Sequence, residues 1–149
     1  MRHWARSVDR NRRSGLRGFG VLLLMFTCAC SLGDGDLVGH WQILDDTRDS
    51  LPQAWRDQPS FVDLGADGHF RATGLPLPLL SSPVRRCSGE GDWSREKQDA
   101  GLIHLRLLNS PDCRELVPYG LQVSARRYVA GPQLIVDLSD TGAAVYTRR

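Results

Sequence analysis

Alternating apolar and polar residues run through most of the chain after residue 37, and they predict a succession of short β-strands. The clearest case is Leu102–Leu108, in which Ile103, Leu105 and Leu107 fall on one side. Successive side chains of a strand point to opposite faces of its sheet, so this segment has one apolar and one polar face. The predicted strands are Val38–Leu44, Phe61–Leu64, His69–Thr73, Gly91–Lys97, Leu102–Leu108, Tyr119–Ala125, Gln133–Leu138 and Ala143–Thr147.

The residues between these strands indicate how the strands are connected. Gly65-Ala66-Asp67-Gly68 and Gln98-Asp99-Ala100-Gly101 combine glycine with aspartate, which is typical of hairpin turns. Many short strands joined by such turns are typical of antiparallel barrels and sandwiches. We therefore expect an all-β domain, either a small antiparallel β-barrel of about eight strands or a closely related sandwich.

Two segments interrupt the alternation. Ser50–Asp57 predicts a short helical turn, with Ser50 as its cap and Pro52 near its start. Gly74–Leu80 reads Gly-Leu-Pro-Leu-Pro-Leu-Leu, and alternating prolines remove the N–H groups that an inner strand needs. We therefore expect an extended apolar loop that either covers the barrel mouth or presents an apolar patch to a ligand or partner. Its candidate binding residues are Leu75, Leu77 and Leu79.

The first 30 residues combine a basic arm with a short apolar run, which is the pattern of an export signal. Six arginines precede Cys30, and the apolar run from Phe19 to Ala29 is 11 residues long. A secretory signal needs about 7–15 apolar residues, whereas a membrane-spanning helix needs about 20. We expect the protein to be exported across a membrane.

Ala29 and Cys30 resemble the cleavage site of bacterial lipoproteins, in which a peptidase cuts before a lipid-modified cysteine. The resemblance implies a cleaved signal peptide at residues 1–29, a lipid anchor on Cys30 with a spacer to residue 36, and a folded domain at residues 37–149. It also implies attachment to the extracytoplasmic side of the cell membrane. Cys28 is a rival anchor, and an ordinary signal that releases the protein is the other alternative. The paired arginines leave both Sec and twin-arginine export open.

The charge of the mature chain differs from that of the whole sequence. Removing the six arginines and one aspartate that precede Cys30 leaves 13 basic and 16 acidic residues, a formal charge of −3 instead of +2. The basic excess therefore belongs to the signal, and we expect no nucleic-acid partner. The 120 residues from Cys30 to Arg149 suffice for one domain with a modest core.

The remaining cysteines predict a disulfide. With Cys28 removed and Cys30 capped by lipid, Cys87 and Cys113 are the thiols left in an oxidising compartment, so we pair them. A metal site would need more ligands at closer spacing, and a nucleophilic Cys113 would need a reduced thiol.

Gly39-His40-Trp41 resembles the Gly-x-Trp signature of lipocalin-like barrels. A looser pattern is similar to small lipoproteins of high-GC bacteria, and it extends to Gly89-x-Gly91-x-Trp93 and to an aromatic last strand. The resemblance implies a small β-barrel lipoprotein domain and carries no known activity. We expect the domain to act by binding a small apolar ligand. Trp41 and Trp93 either line such a pocket or fill the core of a small barrel. The alternative is a protein–protein interaction or inhibitor module of the cell envelope.

Residues with catalytic or metal-binding chemistry are few. Asp140-Thr141-Gly142 resembles an aspartic protease motif, but only seven residues follow it, so we interpret it as a hairpin turn. His40, His69 and His104 stand alone in separate strands, without a partner at metal-ligand spacing. We expect no catalytic residues, no metal and no cofactor, and an enzyme is the weakest alternative.

Overall fold

The chain folds into a closed barrel of eight antiparallel strands in the computed structural model, which describes residues 32–79, 82–138 and 142–149. Each strand pairs with its neighbours in the sequence, and β8 closes the barrel by pairing with β1. The strands are β1 (Gly39–Ile43), β2 (Phe61–Leu64), β3 (His69–Leu79), β4 (Ser82–Arg95), β5 (Leu102–Asn109), β6 (Tyr119–Tyr128), β7 (Gly131–Asp137) and β8 (Ala143–Arg148). The predicted small antiparallel barrel is confirmed, and the architecture is consistent with a lipocalin-like domain.

The up-and-down order of the strands gives the barrel two different ends. One end, here called the base, holds the start of β1, the end of β8 and the short turns at residues 65–68, 96–101 and 129–130. The other end, here called the mouth, holds the two longest connections, at residues 44–60 and 110–118. The base is therefore built from short turns, whereas the mouth carries the two longest loops.

A short helix closes the base. This helix, α1 (Asp34–Leu37), precedes β1, and both Leu32 and Leu37 are buried in the core. The Trp41 indole Nε1 donates a hydrogen bond of 2.8 Å to the Leu37 carbonyl. The prediction that residues 31–36 are an unpacked spacer is wrong for the described part, because the apolar side chain of Leu32 anchors this segment to the barrel.

The core explains the period of two in the sequence. Alternate residues of each strand point inward, and in β5 these are Ile103, Leu105 and Leu107, each at most 3% exposed. Larger rings complete the interior, with Trp41 near the base and Tyr146 in β8 almost fully buried. Side chains thus occupy the inward-facing positions, as expected for a barrel of this size.

The strand β3 extends through the segment predicted as a loop, so that prediction is wrong. Leu75 and Leu77 pair with β4 opposite Cys87 and Arg85, with irregular register on either side. The pairing of β2 with β3 ends at Thr73, so beyond this point one side of β3 is a free edge. Proline is tolerated at such an edge because no neighbouring strand requires its missing N–H.

Two short 3₁₀ turns, Asp45–Ser50 and Gln53–Trp55, occupy the connection between β1 and β2. The helical turn predicted at Ser50–Asp57 is found in its central part, with Pro52 directly before the second turn. The first turn begins five residues before the predicted segment.

Candidate functional site

A folded segment covers the mouth of the barrel. This segment, residues 45–59, is here called the lid, and its two arginines bond to its own backbone. Arg48 Nη1 donates to the carbonyls of Arg56, at 2.6 Å, and Gln58, at 3.1 Å. Arg56 Nε donates to the Leu51 carbonyl at 3.2 Å. These bonds make the lid a self-contained unit.

Few contacts hold the lid against the barrel. At one end the Val145 N–H donates to the Thr47 hydroxyl at 3.2 Å, and at the other end Arg86 Nη2 donates to the Pro59 carbonyl at 2.6 Å. Among the lid side chains that the structure describes, only Leu51 is buried, at 5% exposure. Leu51 is therefore the one buried apolar side chain among those described in the lid.

Two buried hydroxyl groups lie where the lid joins β2. The Ser60 hydroxyl donates to the Gly74 carbonyl at 2.9 Å and lies 2.6 Å from the Tyr146 hydroxyl. Because serine has one proton and gives it to Gly74, Tyr146 must donate to Ser60. Burial raises the pKa of Tyr146 far above its ordinary value, despite the opposing effects of Ser60, Arg86 and Arg48. The phenol therefore stays protonated and able to donate.

The hairpin of β3 and β4 extends beyond the barrel at the mouth. This extension, residues 74–79 and 82–88, is here called the arm. Leu75 and Leu77 are almost fully buried, whereas Leu79 is partly exposed. The arm thus places its apolar residues in the core instead of presenting them to solvent.

The connection between β5 and β6 clamps the arm. The predicted disulfide is present: Cys87 is bonded to Cys113, with a Cα–Cα distance of 5.7 Å. Arg85 forms an ion pair of 2.8 Å with Glu115, and the Tyr119 hydroxyl donates to the Pro78 carbonyl. Covalent and polar contacts together fix the arm.

Asp112 adds a charged contact beside the disulfide. Both of its carboxylate oxygens lie 3.0 Å from the Ser88 N–H, and Oδ1 accepts a hydrogen bond of 2.8 Å from Ser110. Partial burial raises the pKa of Asp112, but these hydrogen bonds outweigh it and hold the pKa below its ordinary value. The ionised carboxylate therefore ties the loop after β5 to the arm.

The predicted ligand-contacting residues lie in two separate places. Trp41 is buried at the base, and Trp93, which is partly exposed, donates from its indole Nε1 to the Gly65 carbonyl of a base turn at 2.8 Å. The three leucines of the arm lie at the mouth. The structure therefore does not unite the five residues in one pocket.

A groove on the outer face is a second candidate site, which the sequence analysis missed. Glu90 pairs with Asn109 while Gly91 pairs with Leu107, so Leu108 is the extra residue of a β-bulge. A bulge redirects a side chain, and Leu108 is 40% exposed. The adjacent leucines Leu107 and Leu108, which break the alternation of β5, are the sequence signal for this bulge.

The outer groove has a volume of about 610 Å³ and is rich in charged groups. Its lining includes Asp63, Asp67, His69, Phe70, Arg71, Glu90, Gly91, Asp92, Leu108 and Asn109. Polar contacts cross its strands, with His69 Nδ1 2.8 Å from Asp92 Oδ1 and the guanidinium of Arg71 3.7 Å from the carboxylate of Glu90. The groove therefore offers charges of both signs beside one exposed leucine.

The three histidines of the described chain lie apart, each beside a carboxylate. The pairs are His40–Asp63 at 2.6 Å, His69–Asp92 at 2.8 Å and His104–Glu96 at 2.7 Å. The hydrogen bond from His104 is the main cause that lowers the pKa of Glu96. Within residues 32–79, 82–138 and 142–149, no group of three metal-ligating side chains forms.

Other predicted sites fall outside the described residues. These are Cys30 with the signal peptide, and Asp140 with Thr141 of the protease-like motif. Where the structure describes the chain, no helix has both the length and the apolar character needed to cross a bilayer.

Comparison with known proteins adds no relative. No protein-family model matches the chain, and a search of curated proteins finds no significant match.

Proposed function

We propose that this protein is an extracytoplasmic lipoprotein, anchored through Cys30, that binds a small apolar ligand at the mouth of its barrel. The observation that carries the proposal is the lid, in which Leu51 is the only buried side chain among those that the structure describes. The disulfide between Cys87 and Cys113 supports an oxidising, extracytoplasmic location.

The contacts of the lid are compatible with its opening. Burial of one leucine side chain contributes about 1.5–3 kcal/mol, and segments with few buried apolar contacts are those that open locally. The arginine bonds inside the lid survive such a motion, since both partners move together. Opening around the fixed ends near Thr47 and Pro59 would uncover the apolar side chains at the mouth for a ligand.

The groups beneath the lid suit a ligand that is mostly apolar. Ligand sites are lined by apolar side chains with a few fixed polar groups. Leu75 and Leu77 supply apolar surface in the adjoining arm. The hydroxyls of Ser60 and Tyr146 are the polar groups at this position.

Titration with the fluorescent apolar probe 1-N-phenylnaphthylamine tests the binding proposal. We expect saturable binding of one probe per chain and faster association for Leu51→Ser, because the weakened lid opens more often. Ala54→Ser, an exposed change in the same lid, serves as the matched control and should leave the rate unchanged. Absence of saturable binding by the folded wild-type protein would contradict the proposal.

The anchor is tested separately. We expect Cys30→Ser to move the protein from the membrane fraction to the soluble fraction, since a diacyl group supplies the two chains needed for stable attachment. Equal membrane association of the variant and the wild type would show that Cys30 is not the anchor.

The outer groove favours a second candidate, a protein–protein interaction or inhibitor module of the cell envelope. Its observation is Leu108, which the bulge directs outward among charged side chains. A photo-crosslinking residue at position 108 should yield one discrete adduct in intact cells. The same residue at exposed position 122 of β6 is the control, and identical adducts at both positions would argue against a specific surface.

A further inference from the structure

The path of the chain into the barrel places the anchor close to the base. Leu32 is 1% exposed, and α1 follows it directly. Only Ser31 separates Leu32 from Cys30, and two residues span at most about 7 Å. A lipid on Cys30 therefore holds the base of the barrel, and not its mouth, against the membrane.

The base carries an exposed apolar tip. The turn between β6 and β7 places Tyr128, 44% exposed, beside Val129, which is fully exposed. These are two of the three large apolar residues that the described chain leaves in solvent. Apolar and aromatic side chains at a hairpin tip suit the boundary between lipid headgroups and acyl chains.

Arginines flank this tip. Arg127 is paired with Asp36 of α1 at 2.9 Å, and Arg148 reaches the carbonyls of Gly35 and Asp36 at 3.4 and 3.3 Å. The guanidinium groups of Arg126 and Arg149 are exposed, and the described residues form no ion pair with either of them. Two cations therefore remain for anionic headgroups.

Arg126 and Arg149 lie on one side of the base, where β6 and β8 end and β7 begins. The turns on the other side carry the three carboxylates of Asp67, Glu96 and Asp99 against the single cation of Lys97. The mature chain has a net negative charge, so attraction to an anionic surface must come from this local group of arginines. The distribution of charge thus selects the β6–β7 turn as the point of contact.

We propose that the tip Tyr128–Ala130, with Arg126 and Arg149, docks on the surface of an anionic lipid bilayer. The inference rests on the lipid anchor proposed above. Docking orients the barrel with its base on the membrane and its mouth, lid and arm directed away from it.

Site-specific fluorescence tests the docking. Lipidated full-length protein carrying Val129→Cys is labelled with an environment-sensitive fluorophore and reconstituted into phosphatidylcholine vesicles that contain phosphatidylglycerol. The label has a single target, since Cys30 is lipidated and Cys87 is bonded to Cys113. Ala54→Cys in the exposed part of the lid provides the matched control at the opposite end. We expect blue-shifted emission and quenching by nitroxide-labelled lipid at position 129 and neither at position 54.

The role of charge is tested in the same vesicles. Arg126→Gln and Arg149→Gln should each lower the ratio of docked to undocked protein about fivefold. Vesicles of pure phosphatidylcholine attract neither arginine and should lower the ratio about 25-fold. Equal emission from positions 129 and 54 in protein that floats with the vesicles would overturn the docking and leave the anchor intact. Protein that fails to float would overturn the anchor, and the docking with it.

Discussion

Replacing Ser60 with alanine removes the acceptor of a fully buried phenol, and the hydrogen-bond directions at the mouth set the expected cost. The Tyr146 hydroxyl donates to Ser60, and Ser60 donates to the Gly74 carbonyl. Ser60→Ala therefore leaves both the phenol and the carbonyl without their partner. A buried polar group left unsatisfied costs about 1–3 kcal/mol.

Tyr146→Phe should lower the free energy of unfolding by less than Ser60→Ala does. Ser60 keeps its bond to Gly74, so the loss is one buried hydrogen bond, worth about 0.5–1.5 kcal/mol. The double variant has no stranded phenol, so its loss of unfolding free energy should be no larger than that of Ser60→Ala alone. This corresponds to a coupling of about 1 kcal/mol between the two sites.

Urea unfolding at neutral pH, with the disulfide intact, measures all three variants. The dependence on urea concentration should stay constant, so that the midpoints report stability directly. Ser94→Ala, an exposed serine on β4, is the matched control and should change stability by less than about 0.5 kcal/mol. Additive single effects, or a larger loss for Tyr146→Phe than for Ser60→Ala, would refute the assigned hydrogen-bond directions.

Four further predictions concern the disulfide, the responses of Tyr146 and Asp112 to pH, and the arm. Replacing Cys87 and Cys113 together by alanine should lower stability by about 3.5 kcal/mol and the melting temperature by more than about 10 °C, because the bond closes a loop of 26 residues; calorimetry with an unchanged melting temperature would contradict this. The pKa of Tyr146 is raised, so its contribution to the free energy of unfolding is complete below pH 10.0, its ordinary pKa, and is lost as the pH rises toward the folded-state pKa. Urea unfolding above pH 10.0 should therefore show that the free energy of unfolding falls less steeply with pH for Tyr146→Phe than for the wild type, by up to about 1.4 kcal/mol per pH unit. The pKa of Asp112 is lowered, so its contribution to the free energy of unfolding is complete above pH 3.8 and is lost as the pH falls through the folded-state pKa. Asp112→Asn should remove this part of the loss of stability in acid. An unchanged dependence of stability on acid pH would argue that Asp112 does not hold the loop to the arm. In the arm, Leu77→Ala should cost about 2–5 kcal/mol and the partly exposed Leu79→Ala clearly less, so equal losses would contradict the burial.

The alternation of apolar and polar residues was sufficient to predict an all-β domain, with a small antiparallel barrel or a closely related sandwich as its two possible forms. A small closed barrel fills its interior with side chains, and this imposes a period of two on every strand. The strand Phe61–Leu64 was predicted to the residue, as was the start of Leu102–Asn109. These strands are short and end at turns, so their limits are local properties of the sequence.

The errors arose where a tertiary contact decides the outcome. Pro76 and Pro78 are compatible with β3 because β2 ends its pairing at Thr73, and nothing within residues 74–80 encodes that ending. Leu32 is buried because it packs against the core at the base of the barrel, although the Gly- and Asp-rich residues that follow it resemble a spacer.

The candidate site was harder to predict for the same reason. Trp93 lies beside a base turn, whereas the leucines of the arm lie at the mouth. A sequence pattern does not tell which ends of distant strands coincide. The disulfide was predictable because the expected export signal left Cys87 and Cys113 as the two cysteines to be paired.

The pairing of β1 with β8 has a consequence for how the barrel is completed. Every other pairing joins strands that are adjacent in the sequence, whereas this seam joins Trp41 to Arg148 and Ile43 to Tyr146. Contacts between such distant residues form slowly because closing a long loop is entropically costly. Until β8 pairs with both of its neighbours, β1 and β7 have unpaired edges, which are templates for aggregation. The protein is therefore most vulnerable in the interval before its last strand closes the seam.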